Sequence, residues 1–107
     1  MCIRDRNIAI PATGAALRFN HAFGFEDSSG FYWDGGLIIA STDAGANWNN
    51  VDCSTGCEGL GYSGTIDSSF GNPNGGEDAF GAESYGFAKT QLDLTPYAGQ
   101  NLSLIHI

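Results

Sequence analysis

The chain is poor in positive charge. Its 107 residues carry 4 Lys and Arg against 12 Asp and Glu, a formal net charge of −8. A protein that grips nucleic acid or an anionic bilayer needs a basic face to neutralise phosphates, so the charge balance argues against both kinds of partner. Long apolar runs are also lacking. None approaches the roughly 18 residues that a membrane helix requires, and no membrane insertion is expected. Helical periodicity is almost absent, and the chain holds 16 Gly. Short strands joined by tight turns suit that composition. The familiar catalytic patterns are missing as well: there is no His-Glu-x-x-His, no Gly-x-Ser-x-Gly and no phosphate-cradling glycine loop. A non-catalytic domain is expected, although the number of carboxylates leaves a glycosidase-type acid pair open.

The two ends stand apart from the rest. Met1-Cys2-Ile3-Arg4-Asp5-Arg6, read as codons, resembles a transposon end used to build sequencing libraries. Leu102-Ser103-Leu104-Ile105-His106-Ile107 resembles the reverse complement of that element. Residues 1–6 and 102–107 are therefore expected to be adapter-derived, and the fold is read from residues 7–101. Within those bounds Arg18 and Lys89 are the only bases, and the net charge is still about −9. A span of roughly 95 residues makes one domain or part of one, and a domain of that size buries only a small core.

Thirteen aromatic residues (7 Phe, 4 Tyr and 2 Trp) argue against disorder despite the acidity. Leu17-Arg18-Phe19-Asn20-His21-Ala22-Phe23-Gly24-Phe25-Glu26 alternates apolar and polar, the period-2 signature of a half-buried strand. Leu37 to Thr42 is apolar on both faces and is expected inside a sheet. Trp48 to Val51 returns from it across the turn Asp43-Ala44-Gly45-Ala46-Asn47. Gly61 to Ile66 reads as a short strand. Gly71 to Asp78 reads as a long polar loop, 80–87 as an irregular strand, and Lys89 to Leu94 as a further strand before a turn that opens at Pro96. Turn signals every 8 to 15 residues point to a sandwich or jelly roll. The fold expected is all-β: a jelly-roll-like antiparallel β-sandwich, truncated, with its closing strand missing after Asn101. The apolar tail from Leu102 onward is suited to fill that gap adventitiously, and the fragment is expected to be poorly stable because a strand edge is otherwise unpaired.

Cys53 and Cys57 stand four apart in a Gly-containing loop. They can close a small disulfide ring in an oxidising compartment. Free thiols remain open, and a zinc site would need two further ligands where His21 is the one histidine left. His21 sits on the apolar face of its strand and reads as a core residue. Asp34, Asp43 and Asp78 stand beside turn glycines, where turn capping accounts for each. Phe31, Tyr32 and Trp33 form an aromatic run that serves either as a ligand platform, since sugar and peptide sites both use such surfaces, or as a buried loop anchor. Ser41, Asp43, Gly45 and Trp48 match the Asp-box pattern Ser-x-Asp-x-Gly-x-x-Trp. That hairpin recurs in sialidase-like propellers without doing catalysis there. A propeller would repeat it every 40 to 50 residues or so, and one copy is present.

Taken in order, Leu17 to Glu26, Trp33-Asp34-Gly35-Gly36-Leu37-Ile38-Ile39-Ala40-Ser41-Thr42-Asp43, Gly61 to Ile66, Ala79 to Gly86 and Thr90 to Gln100 resemble the β-sandwich module appended to secreted bacterial metallopeptidases of the immune inhibitor A and fungalysin-like kind. The plan is also similar to MAM and galactose-binding-like jelly rolls. The chain departs from that pattern in having Asp43-Ala44-Gly45 where the family has Asp-Gly-Gly, and in its cysteine loop. The resemblance implies a secreted or cell-surface accessory domain that works beside other domains of its parent chain, or on a glycan or protein surface. A carbohydrate- or protein-binding adhesion module is the alternative, and a fragment of an Asp-box sialidase-type hydrolase is a second. The resemblance also implies a structural Ca²⁺, with Glu26 and Asp34 as ligands and Asp27 and Asp78 as additional ones.

Overall fold

The computed structural model describes the backbone of residues 3–4 and 7–106 and the side chains of residues 7–104. Of the ends expected to be adapter-derived, residues 1, 2, 5, 6 and 107 lie outside the described residues. In chain order the strands are β1 (Ile3–Arg4), β2 (Ile8–Ala9), β3 (Ala16–His21), β4 (Asp27–Ser28), β5 (Phe31–Tyr32), β6 (Ile38–Ser41), β7 (Asn49–Asn50), β8 (Cys57–Gly59), β9 (Gly64–Thr65), β10 (Asp78–Ala79), β11 (Ala88–Asp93) and β12 (Asn101–His106). One 3-10 turn at Thr95–Tyr97, with Pro96 in its first turn, precedes β12. The fold is all-β; among the described residues every ladder between these strands is antiparallel, and one isolated bridge, Tyr32 with Ile66, is parallel.

Two sheets carry the core. One runs β1-β12-β6-β7, with β2 also on β12, and the other runs β3-β11-β8. Ile38 and Ala40 of β6 and Leu102 and Leu104 of β12 meet Leu92 of β11, Leu94, Phe80, Val51 and Ile10 in one buried cluster. That is the sandwich-like arrangement. The alternate positions of β6 serve a second, smaller cluster, in which Ile39 packs against Leu37, Ile66 and Ala79. This is why the segment is apolar on both faces.

The alternation of residues 17–26 survives intact in the burial pattern: Leu17, Phe19, Phe23 and Phe25 are half-buried, His21 is buried, and the residues between are exposed. The hydrogen-bond ladder nevertheless stops at His21, opposite Ala88. Beyond it Phe23 N–H donates to the Ser84 hydroxyl (2.9 Å), and Ala82 and Tyr85 adopt positive φ of 55° and 54°. A kinked partner cannot hold a regular ladder. The irregular strand expected over 80–87 accordingly contributes only isolated bridges, Gly36 with Phe80 and Gly24 with Glu83. The cysteine loop, expected to be without strand, contains β8, which pairs with β11.

The slot of the closing strand is filled. β12 lies between β6 on one side and β1 and β2 on the other, with Leu102, Ser103 and Leu104 buried. A strand, β12, thus stands where the closing strand was expected to be missing.

Candidate functional site

The aromatic run divides between two roles. Asp27 pairs with Tyr32 and Ser28 with Phe31 across the β4–β5 hairpin, and Trp33 N–H donates to the Glu26 carbonyl (3.1 Å) just beyond. Side chains alternate along β5, so Tyr32 takes one face and Phe31 and Trp33 the other. Tyr32 packs against Gly64 and Gly81, where a side chain on either glycine would collide with its ring. It is the anchor. Phe31 and Trp33 stack with centroids 5.5 Å apart and planes 26° apart, and Phe70 stands almost perpendicular to Trp33 at 4.9 Å. Phe31 is 50% exposed and Phe70 77%, so this trio forms a surface and not a core. The Trp33 indole N–H donates to Ser28 Oγ (2.8 Å), and the Asn72 amide donates to the Trp33 carbonyl (2.9 Å). These bonds fix the ring that lies between the other two. Trp33, Phe70 and Glu26 line an open hollow of about 350 Å³. Phe70 was not singled out in the sequence because it lies 37 positions beyond Trp33, between turn residues, and carries no periodic signal.

Tyr85 and Phe87, 91% and 84% exposed, flank Gly86 in the loop before β11 and join no ring pair with the trio.

The Asp box forms as a closed turn. Ser41 Oγ donates to Asp43 Oδ1 (2.7 Å) and accepts from Gly45 N–H (2.9 Å). Asn47 donates to Asp43 through both its backbone N–H (2.8 Å) and its side-chain amide (2.6 Å). These donors, the Asn47 backbone first, lower the Asp43 carboxyl to about 2. Ala44 (φ 59°) as well as Gly45 (φ 92°) takes the left-handed conformation that the turn demands. The departure from Asp-Gly-Gly therefore places a Cβ where glycine is easier. Trp48 is half-buried.

Among the described residues, no three His, Cys, Asp or Glu side chains stand together as a metal-holding group. Glu26 lines the aromatic hollow, while Asp27 and Asp34 are exposed on and beside the same hairpin. Asp78 lies in β10 opposite Thr65, whose hydroxyl donates to it (2.7 Å). It is a cross-strand partner, not the turn cap expected of it. Turn capping is also performed by Asp52, Asp67 and Asp93, beside Asp43. Each is held below the usual carboxylate range, first by the hydroxyl of Thr55, Ser69 or Thr95 and then by backbone N–H groups.

Cys53 and Cys57 form a disulfide, with Cys53 fully buried in the main cluster. His21 is a core residue. Thr90 Oγ gives its proton to the Leu60 carbonyl (2.6 Å), so the 2.8 Å contact between His21 Nε2 and that oxygen needs the proton on Nε2. Phe19 and Phe80 pack against the imidazole at 4.8 and 4.7 Å.

No family model, curated protein or solved structure matches the chain.

Proposed function

We propose that this chain is a non-catalytic accessory or binding module of a secreted or cell-surface multidomain protein, its parent a peptidase of the kind the sequence resembles. The observation that carries the reading is the Phe31–Trp33–Phe70 surface: two stacked aromatic rings on a hydrogen-bonded hairpin, met edge-on by a third from a separate loop. Exposed aromatic platforms beside a few polar groups are the usual substance of ligand sites. The disulfide suits an oxidising compartment.

Depletion of the chain from solution by insoluble polysaccharides and by immobilised extracellular protein tests the binding role. Retention on one such surface, lost in Trp33→Ala, is expected. No retention on any surface, or retention indifferent to Trp33, overturns it. The gene upstream tests the parent. A His-Glu-x-x-His supports the peptidase, repeated Asp boxes support a sialidase-type hydrolase, and an anchor sequence supports a surface adhesin.

Calcium belongs to this reading through the resemblance. Glu26 and Asp34 would hold it, with loop carbonyls completing the oxygen shell that Ca²⁺ requires. A bound ion stabilises the folded state by mass action, so EDTA should lower the melting temperature and Asp34→Ala should abolish that response. A melting temperature blind to both Ca²⁺ and EDTA removes the ion.

A further inference from the structure

The hollow beside Trp33 has a charge as well as a shape. Its third wall is Glu26. Among the described residues that carboxylate meets no hydrogen-bond donor and no cation. Neutralisation from nearby sequence is also ruled out, because no Lys or Arg stands anywhere between residues 19 and 88. Arg18 lies in β3, where its guanidinium donates to Gln91 (2.7 Å), and Lys89 lies in β11. Asp27 and Asp34 add negative charge on and beside the hairpin that carries the platform.

Aromatic faces present the negative side of a ring quadrupole. A carboxylate and two nearly perpendicular aromatic walls therefore act on a guest with the same sign. They repel an anion, they gain little from a neutral ring beyond contact, and they attract a cation whose surface is apolar enough to leave water. A quaternary or methylated ammonium has that surface, and indole is the best of the aromatic partners for it. A strongly hydrated primary ammonium gains less, because its water shell must be removed first. The hollow, at about 350 Å³, has room for a trimethylammonium head.

We propose that Trp33, Phe70 and Glu26, with Phe31 stacked behind Trp33, form a binding site for a methylated ammonium group carried by a small molecule or displayed on a surface. The proposal rests on the reading of the chain as a binding module, names the chemistry its platform selects, and takes Glu26 in the state without Ca²⁺, since one carboxylate cannot serve both cations.

The test is titration of the full chain with choline in buffer free of divalent cations, read by tryptophan fluorescence and by amide chemical shifts. The neutral isostere 3,3-dimethyl-1-butanol and a neutral oligosaccharide, cellohexaose, are titrated in parallel. Saturable choline binding is expected, with the isostere at least about tenfold weaker because it lacks the charge. Trp33→Ala should weaken choline by about tenfold or more and Glu26→Gln by several-fold. Phe70→Ala, at an exposed position where loss of folding is not a concern, should weaken it too. Equal binding of choline and the isostere overturns the proposal. So does the absence of saturation by about 50 mM choline, well past the millimolar range. Cellohexaose binding that is lost in Trp33→Ala while choline fails overturns the ammonium assignment and leaves the binding-module reading standing. Failure of every probe overturns the ammonium assignment alone, and the binding-module reading then stands or falls on the surface-retention test.

Discussion

At the scale of single residues the Asp43 turn is the most legible part of the chain. Ser41, Asp43, Gly45 and Trp48 are close in sequence, so their geometry follows from local chemistry alone, and the hydrogen bonds form as the pattern implies. Asp78 was misread for the opposite reason. A neighbouring glycine suggested a cap, but its true partner, Thr65, lies across a strand pair that no local pattern announces. The lowered Asp43 carboxyl has a consequence for stability. Its folded value of about 2 lies below the ordinary carboxyl value of 3.8, so its stabilising contribution is present above that ordinary value and is lost as pH falls toward 2. Asp52, Asp67 and Asp93 are lowered as well, so the whole domain is expected to weaken in acid. Melting temperatures followed from pH 5 to about pH 2 should show a shallower fall in Asp43→Asn than in the parent chain. Parallel curves would mean that the turn donors do not favour the charged form.

At the scale of elements, strands with strict alternation or a wholly apolar centre were legible, as were the short β7 and β9 that follow turn signals, and those without such signals were not. Residues 17–26 keep their apolar face through Phe25 even where the ladder ends at His21, because burial depends on side-chain direction and pairing depends on the partner. The pairing of β8 with β11 was hidden: Cys57-Glu58-Gly59 has no periodic pattern, and the strand exists because Leu92, Gln91 and Thr90 offer it an edge. The disulfide lies at the start of that pairing, with Cys53 in the core and Cys57 opposite Leu92. A ring of this length should contribute about 2 kcal/mol by restricting the unfolded chain. Urea unfolding of the oxidised and reduced forms, with Cys2 replaced, should differ by that order. Identical midpoints would assign the loop no share in stability.

At the scale of the whole molecule, the sandwich depends on its last strand. Leu102 and Leu104 of β12 are among the buried residues of the main cluster, and each buried leucine is worth about 1.5–3 kcal/mol. Small domains have little stability to spare. A chain ending at Asn101 should therefore lose its cooperative melting transition, and a chain ending at Ile107 should keep one. Equal melting of the two would show that β12 adds nothing to the core. The fold class was readable because alternation, turns and composition agree. The platform was readable only in part, because Tyr32 and Trp33 are sequence neighbours on opposite faces and Phe70 arrives from a distant loop. If the outward trio serves a ligand and not the fold, binding and stability must separate. The direct measurement is surface retention of the double variant Phe31→Ala/Phe70→Ala, taken beside its melting temperature. Retention should be lost while the melting temperature stays within about 3 °C of the parent, since exposed side chains contribute little to stability. Retention that persists at the parental level, or is lost only together with the fold, would contradict the account.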